Sequence, residues 1–156
     1  MVERAIAGNP HFVLDATEVE ISTPSYTVGT LERLRAIHGP QRPLVLLMGA
    51  DAFARLDDWH RWQDLFSLVH IGIATRPGHP LKVGAGEKAL DHLYSSRMGR
   101  PADILKEPTG CVVPFNIRAL DISATALRTY LVAGESPRYL APDTVLDYIE
   151  QHHLYR

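Results

Sequence analysis

Two short apolar runs, each followed at once by small or polar residues, constrain the fold of this chain more than any other feature. Residues 44–48 (LVLLM) lead into Gly49-Ala50-Asp51, and residues 69–74 (VHIGIA) lead into Thr75-Arg76. Runs of this length are too short to span a membrane and are typical of strands that are buried on both faces. The sequence therefore predicts an α/β fold with a mostly parallel sheet, to which residues 111–115 contribute the last strand.

The residues that follow these strands are candidates for ligand contact, because open α/β sheets bind ligands at the carboxyl ends of their strands. Gly49 lets the backbone come close to a ligand, and the Asp51 carboxylate can reach hydroxyl groups such as those of a ribose. Arg76 brings a cation to the same edge. Each has a simpler interpretation, in which Asp51 caps a helix and Arg76 is a solvated surface charge.

Two tryptophans, Trp59 and Trp62, lie among charged residues shortly after the first predicted strand. Paired aromatic rings in a polar setting suit a planar heterocycle. Large aromatic side chains are nevertheless more often part of a core than a ligand platform. The spacing alone leaves both interpretations open.

A second candidate site lies near residue 123. Residues 121–128 are predicted to open a helix with Asp121 or Ser123 as its N-cap. The hydroxyls of Ser123 and Thr125, the free backbone N–H groups and the Arg128 guanidinium would then converge on one spot. This combination predicts an anion site.

The remaining pattern consists of short elements. Helices are predicted over residues 1–7, 26–37 with Ser25 as cap, 87–98 and 142–153, and short strands over 11–15 and 19–21.

Composition narrows the class of protein. The chain has 156 residues, 46% of them apolar, which fits a single globular domain over residues 1–156. Its net charge of -2 gives no electrostatic reason to expect nucleic-acid or membrane partners. Cys111 is the single cysteine, so we expect a reducing, cytoplasmic setting. Its position in an apolar run predicts a buried, inert thiol. The eight histidines lack metal-ligand spacing, and no metal site is predicted.

Six stretches in fixed order carry a resemblance to a known family. The chain resembles bacterial nicotinate mononucleotide adenylyltransferases, of the nucleotidyltransferase superfamily, at residues 24–27 (PSYT), 49–51 (GAD), 59–62 (WHRW), 76–78 (RPG), 122–128 (ISATALR) and 148–156 (YIEQHHLYR).

The resemblance implies a Rossmann-like three-layer fold and transfer of AMP from ATP to nicotinate mononucleotide, giving deamido-NAD and pyrophosphate with Mg²⁺ present. It implies that the backbone of Tyr26 and Thr27 and the ring of Trp59 hold the nicotinate, with Gly49 and Asp51 at the ribose and Arg76 on the phosphate side. Ser123, Thr125 and Arg128 would grip the ATP phosphates.

One departure from the family pattern affects the expected activity. The family's GGxFDPxHxGH motif, whose histidines lie over the ATP phosphates, does not occur in these 156 residues, so no catalytic side chain is identified. We expect a β-α-β portion of roughly 30 or more residues to be missing before Met1, through a misplaced start codon or truncation. Loss of the central strand would leave a gap in the sheet, impair turnover and favour aggregation or a homo-oligomer.

Two alternatives stay open from the sequence. The chain could be a non-catalytic nucleotide-binding or regulatory module. It could also transfer AMP to another acceptor, such as nicotinamide mononucleotide or phosphopantetheine.

Overall fold

The computed structural model describes residues 1–76, 88–118 and 120–155. Pro77 and Gly78 of the RPG stretch and Glu87, where a helix was predicted to begin, lie outside the described residues. The described elements are helices α1 (Val2–Ile6), α2 (Thr17–Glu20), α3 (Thr27–His38), α4 (Ala50–Phe53), α5 (Leu65–Leu68), α6 (Ala89–Arg97), α7 (Ala124–Val132) and α8 (Asp143–Gln151), and strands β1 (Val45–Gly49), β2 (His70–Thr75) and β3 (Val112–Asn116).

The chain divides into two compact units. The sheet unit runs from Ile21 to Ala119, and the helical unit combines Met1–Glu20 with Leu120–Arg156.

The sheet unit contains three parallel strands in the order β1-β2-β3. Leu47 lies opposite Gly72, which lies opposite Val113. The predicted parallel sheet is confirmed. Its strands are direct neighbours, so the predicted gap does not lie between them.

The two faces of β1 differ in burial. Leu46 and Met48 pack against the core, whereas Val45 and Leu47 are 40% and 67% exposed. The prediction that this run is buried on both faces is therefore wrong for β1, because alternate side chains point to opposite faces and only one face packs on the core. On the exposed face, Val45, Leu47 and Phe115 surround Gly72, where an added Cβ would lie 2.7–3.4 Å from them.

The core of the sheet unit lies between the other face of the sheet and its helices. The helix α3 contributes Val28 and Leu31, which are buried one turn apart, and ends where Gly39 takes a φ of 83°. The buried core residues are Val28, Leu31, Phe53, Leu56, Leu65, Phe66, Val69, Ile71, Ile73, Leu90 and Val112.

A single arginine on α3 links three parts of this unit. The Arg35 guanidinium donates to the carbonyls of Leu68 at the end of α5, of Gly39 (3.1 Å) and Arg42 (2.6 Å) after α3, and of Pro108 (3.2 Å) before β3. Since charge-assisted hydrogen bonds are stronger than neutral ones, Arg35 fixes the loops at the amino-terminal ends of all three strands.

The helical unit brings α1 and α8 together. Thr144 Oγ1 donates to the Arg4 carbonyl (3.1 Å), and the Arg4 guanidinium lies 5.3 Å from the Tyr148 ring centre. Ile149 is buried on the inner face of α8, as its apolar spacing predicts. Gly134 ends α7 with a φ of 72°.

The strands predicted at residues 11–15 and 19–21 are wrong. The Asp15 carboxylate accepts a hydrogen bond from the Thr17 N–H (3.0 Å), which starts the helical turn α2. Val13 and Val19 are each 89% exposed, so the β-branched residues there pack on no sheet.

Candidate active site

The carboxyl ends of β1 and β2 meet at one edge of the sheet, where Asp51 and Arg76 follow them. Gly49 lies opposite Ala74 in the register, so both residues come two positions after a matched pair. Asp51 and Arg76 are exposed. Asp51 lies in the first turn of α4, whose N-cap is Gly49, so its prediction as a cap is wrong and its carboxylate is available at the sheet edge.

Trp59 contacts both the core of the sheet unit and a cavity. It ends a 3₁₀ turn (Leu56–Asp58), it is half-buried, and it packs against the core of the sheet unit. It also lines a cavity of about 260 Å³ together with Ala52, Arg55 and Asp58. The indole is thus held by the core on one side and faces an open cavity on the other.

Trp62 has the environment of a core residue. Its ring meets Phe66 edge-to-face, with ring centres 6.2 Å apart and an angle of 79° between the planes. This geometry is a favourable packing contact, which favours the core interpretation for Trp62.

The start of α3 lies against the same stretch. The rings of Tyr26 and His60 have centres 4.4 Å apart. Tyr26 is the N-cap of α3 in an extended conformation (φ −118°, ψ 142°), without a side-chain cap, so the prediction of Ser25 as cap is wrong. The structure therefore brings Tyr26 and Thr27 to the WHRW stretch.

Arg61 links the WHRW stretch to α3. Its guanidinium donates to Glu32 Oε1 (2.8 Å) and to Asp64 Oδ2 (2.7 Å). The Glu32 hydrogen bond, followed by that of Asp64, raises the pKa of Arg61 above its ordinary value. Its backbone is left-handed, with φ 52° and ψ 39°.

A further polar pair at this edge was not predicted from the sequence. Thr75 Oγ1 donates to Asn116 Oδ1 (2.8 Å) across the ends of β2 and β3. The signal was present, because Asn116 directly follows the apolar run of the third strand just as Thr75 directly follows that of the second.

The predicted phosphate-binding residues belong to the helical unit. Ser123, one of the two predicted caps, is the N-cap of α7, and its Oγ accepts a hydrogen bond from the Ala126 N–H (3.1 Å). Thr125 and Arg128 line a cavity of about 400 Å³ with Thr129, and the Arg128 guanidinium lies 6.0 Å from the Tyr155 ring centre. Hydroxyls, helix N–H groups and a guanidinium are suited to an anion.

Among residues 1–76, 88–118 and 120–155, no three His, Cys, Asp or Glu side chains are grouped so that they could hold a metal ion. None of the helices described combines the length and apolar composition needed to cross a membrane.

Comparison with known proteins identifies the family, although no family model matches the chain. The "Probable nicotinate-nucleotide adenylyltransferase" of Dechloromonas aromatica (strain RCB) is 50% identical over 159 residues, which cover 100% of this chain and 72% of that protein. The protein of the same name from Marinobacter nauticus (strain ATCC 700491 / DSM 11845 / VT8) is 42% identical over 99% of this chain and 71% of its own.

Solved structures show the fold. The Plasmodium falciparum nicotinic acid mononucleotide adenylyltransferase complexed with APC matches with a TM-score of 0.60 at 18% identity, covering 96% of this chain and 70% of that one. The same protein complexed with NaAD gives the same TM-score and covers 69% of that chain. The predicted Rossmann-like nucleotidyltransferase fold is confirmed by this likeness. On the sequence identities to its bacterial relatives, the chain belongs to the nicotinate-nucleotide adenylyltransferase family.

Proposed function

We propose that this protein transfers the adenylyl group of ATP to nicotinate mononucleotide, giving deamido-NAD and pyrophosphate in NAD biosynthesis. The observation that carries the proposal is family membership across the whole chain, at up to 50% identity among the relatives compared. The WHRW stretch adds to it, because Trp59 lines a cavity together with Ala52, Arg55 and Asp58.

The acceptor nucleotide is proposed to bind at the edge of the sheet unit. The Trp59 ring would stack on the pyridine, with the backbone of Tyr26 and Thr27 beside it. The Asp51 carboxylate would accept hydrogen bonds from the ribose hydroxyls, and Arg76 would lie at the phosphate. In support, Asp51 and Arg76 are both exposed and follow neighbouring strands whose register is matched.

Gly49 is proposed to let the acceptor approach the backbone. Among the residues that the structure describes, no atom beyond the chain neighbours of Gly49 lies within 4 Å of an added Cβ there, which leaves space for a ligand.

The ATP phosphates are proposed to bind at Ser123, Thr125 and Arg128. Mg²⁺ would arrive with ATP as part of the substrate, because this ion is usually held by phosphate oxygens and water with few protein ligands. The donors at the start of α7 are hydroxyls, N–H groups and a guanidinium, which fit phosphate oxygens better than a cation.

The chemistry needs no nucleophilic side chain. A phosphate oxygen of nicotinate mononucleotide forms a bond to the α-phosphorus of ATP, and the bond from that phosphorus to the bridging oxygen of pyrophosphate breaks. The protein contributes positioning of the two substrates and stabilisation of the charge on the leaving pyrophosphate.

A matched pair of glycine variants tests the acceptor site. Gly49→Ala should weaken nicotinate mononucleotide binding in a calorimetric titration without lowering the melting temperature. Gly29→Ala, which also places its Cβ in open space, should leave the affinity for nicotinate mononucleotide unchanged and should not lower the melting temperature. Unchanged binding in Gly49→Ala would remove this edge of the sheet from the proposal.

The activity itself is tested by pyrophosphate release and mass spectrometry of the dinucleotide product. Nicotinate mononucleotide should be preferred over nicotinamide mononucleotide and phosphopantetheine as acceptor. Because the 156 residues contain no GGxFDPxHxGH motif, turnover should be slow, since removal of one charge-stabilising donor typically costs about 10²–10³ in kcat.

A second candidate function is nucleotide binding without transfer. It would need only the acceptor side, where Asp51, Trp59 and Arg76 are all present. Tight binding of nicotinate mononucleotide without any dinucleotide product, even at high enzyme concentration, would favour this second candidate.

A further inference from the structure

Arg61 occupies a backbone conformation that its residue type disfavours. At φ 52° and ψ 39° it is left-handed, a region where glycine is free of strain and other L-residues are not. An arginine in this position therefore costs conformational free energy that a glycine would not.

The Arg61 side chain contacts two carboxylates, whose charge is opposite to its own. The guanidinium reaches Asp64 (2.7 Å) within its own segment and Glu32 (2.8 Å) on α3. The Asp64 contact fixes the arginine side chain, and the Glu32 contact ties the loop to the helix. The loop that joins Trp59 to Trp62 is thus attached to the helix that begins at Thr27.

His60 forms a second attachment between the same two elements. Its ring lies 4.4 Å from that of Tyr26, the N-cap of α3. Glu32 and Tyr26 are separated by more than one turn of α3, so the two contacts hold the loop at two points and resist its rotation as well as its separation. Trp59 directly precedes this doubly held pair of residues.

We propose that Arg61 is a positioning residue of the acceptor site, which holds the loop against α3 so that the Trp59 ring faces its cavity. Its effect on nicotinate mononucleotide binding rests on the proposed function, whereas its effect on the position of Trp59 does not.

The exposure of both side chains indicates that their contacts fix the position of the loop more than they stabilise the fold. The side chains of Arg61 and Glu32 are 48% and 45% exposed, and exposed ion pairs contribute little to the free energy of folding. Replacing Arg61 by glycine removes the guanidinium and also relieves the left-handed strain. Arg61→Gly should therefore fold as stably as the original protein, or more stably, while its Trp59 loop is loosened.

The first test uses fluorine NMR of the protein labelled with fluorotryptophan, without ligand. The two resonances are assigned with Trp59→Phe and Trp62→Phe. In Arg61→Gly and in Glu32→Gln the Trp59 resonance should shift toward its solvent-exposed position while that of Trp62 stays in place. Arg42→Gln is the matched control, and Arg61→Lys should restore part of the original shift. An unchanged Trp59 resonance in both Arg61→Gly and Glu32→Gln would overturn the proposal.

The second test is a nicotinate mononucleotide titration of the same variants. Arg61→Gly and Glu32→Gln should each raise Kd by about threefold to tenfold, the range expected from partial loss of a charge-assisted contact. The affinity for ATP and the melting temperature should not fall. A moved Trp59 resonance with unchanged Kd would overturn the role in binding. Failure of the original protein to bind nicotinate mononucleotide would count against the proposed function, while the NMR result would still decide the role of Arg61.

Discussion

Trp59 has one side in the core and one side at a cavity, so its truncation should affect two measurable quantities. Trp59→Ala should weaken nicotinate mononucleotide binding by about 1–3 kcal/mol, the usual contribution of aromatic stacking on a base. The melting temperature should also fall, since the ring packs against the core. A titration followed by a thermal melt measures both effects.

Two further variants separate these effects. Trp59→Phe keeps a ring at the cavity and should retain most of the affinity, whereas Trp62→Phe should lower the melting temperature only. Equal affinity in Trp59→Ala and the original protein would assign Trp59 to the core alone.

Cys111 is a residue whose chemistry follows from its surroundings. Burial raises the pKa of the Cys111 thiol, and the nearby Asp103 carboxylate adds to the rise. Because the thiolate is the reactive form, the native protein should react with iodoacetamide more slowly than the unfolded chain at mildly alkaline pH. The native rate should keep increasing at a pH where the unfolded thiol is already ionised. Mass spectrometry of the alkylated protein gives both rates, and equal rates would contradict the raised pKa.

At the scale of single residues, the sequence shows which side chains are able to cap a helix or bind a ligand, but it predicts less well which of them do so. Ser25 and Ser123 both precede helices, yet only Ser123 caps one. At α3 the cap position falls on Tyr26, whose ring lies against His60. That contact joins residues far apart in the chain, so local spacing could not reveal it. The cap predicted at Asp51 is wrong for a local reason, because the change from strand to helix already occurs at Gly49.

Among the elements, α3 depends on Arg35 for its connection to the strands. Arg35→Gln should destabilise the protein by about 2–4 kcal/mol, because carbonyls on three loops lose a charged donor in a partly buried place. Chemical denaturation with unchanged m-value measures this loss. Arg42→Gln, an exposed arginine of the same unit, should have little effect. If Arg35→Gln and Arg42→Gln lower the free energy of unfolding equally, water replaces the Arg35 hydrogen bonds without cost.

The strands show where periodicity is informative. All three apolar runs form strands within one residue of their predicted bounds. Their order and register follow from pairing between distant segments, which no single run specifies. A continuous apolar run also cannot distinguish burial on one face from burial on two, and β1 is buried on one. At residues 19–21 the helical turn started by the Asp15 contact prevails over β-propensity.

For the whole molecule, exposed apolar surface should govern behaviour in solution. Val45 and Leu47 form an exposed patch with Phe115 beside Gly72, and such patches promote association. Sedimentation velocity should show concentration-dependent association that Leu47→Lys reduces. Ile37→Lys adds the same charge at an exposed position on α3 and should reduce association less. A monomer at every concentration would contradict this expectation.

The division into two units has a consequence for biosynthesis. The Thr144 hydroxyl reaches the Arg4 carbonyl across 140 positions of sequence, so the helical unit joins early and late parts of the chain. All of residues 21–119 emerge from the ribosome before α7 and α8 do, and domains generally fold as their residues emerge. The sheet unit can therefore form during translation, whereas α1 must wait for its partner helix. A ribosome that stalls after β3 has emerged and before α8 has emerged would hold a folded sheet and an unpaired α1.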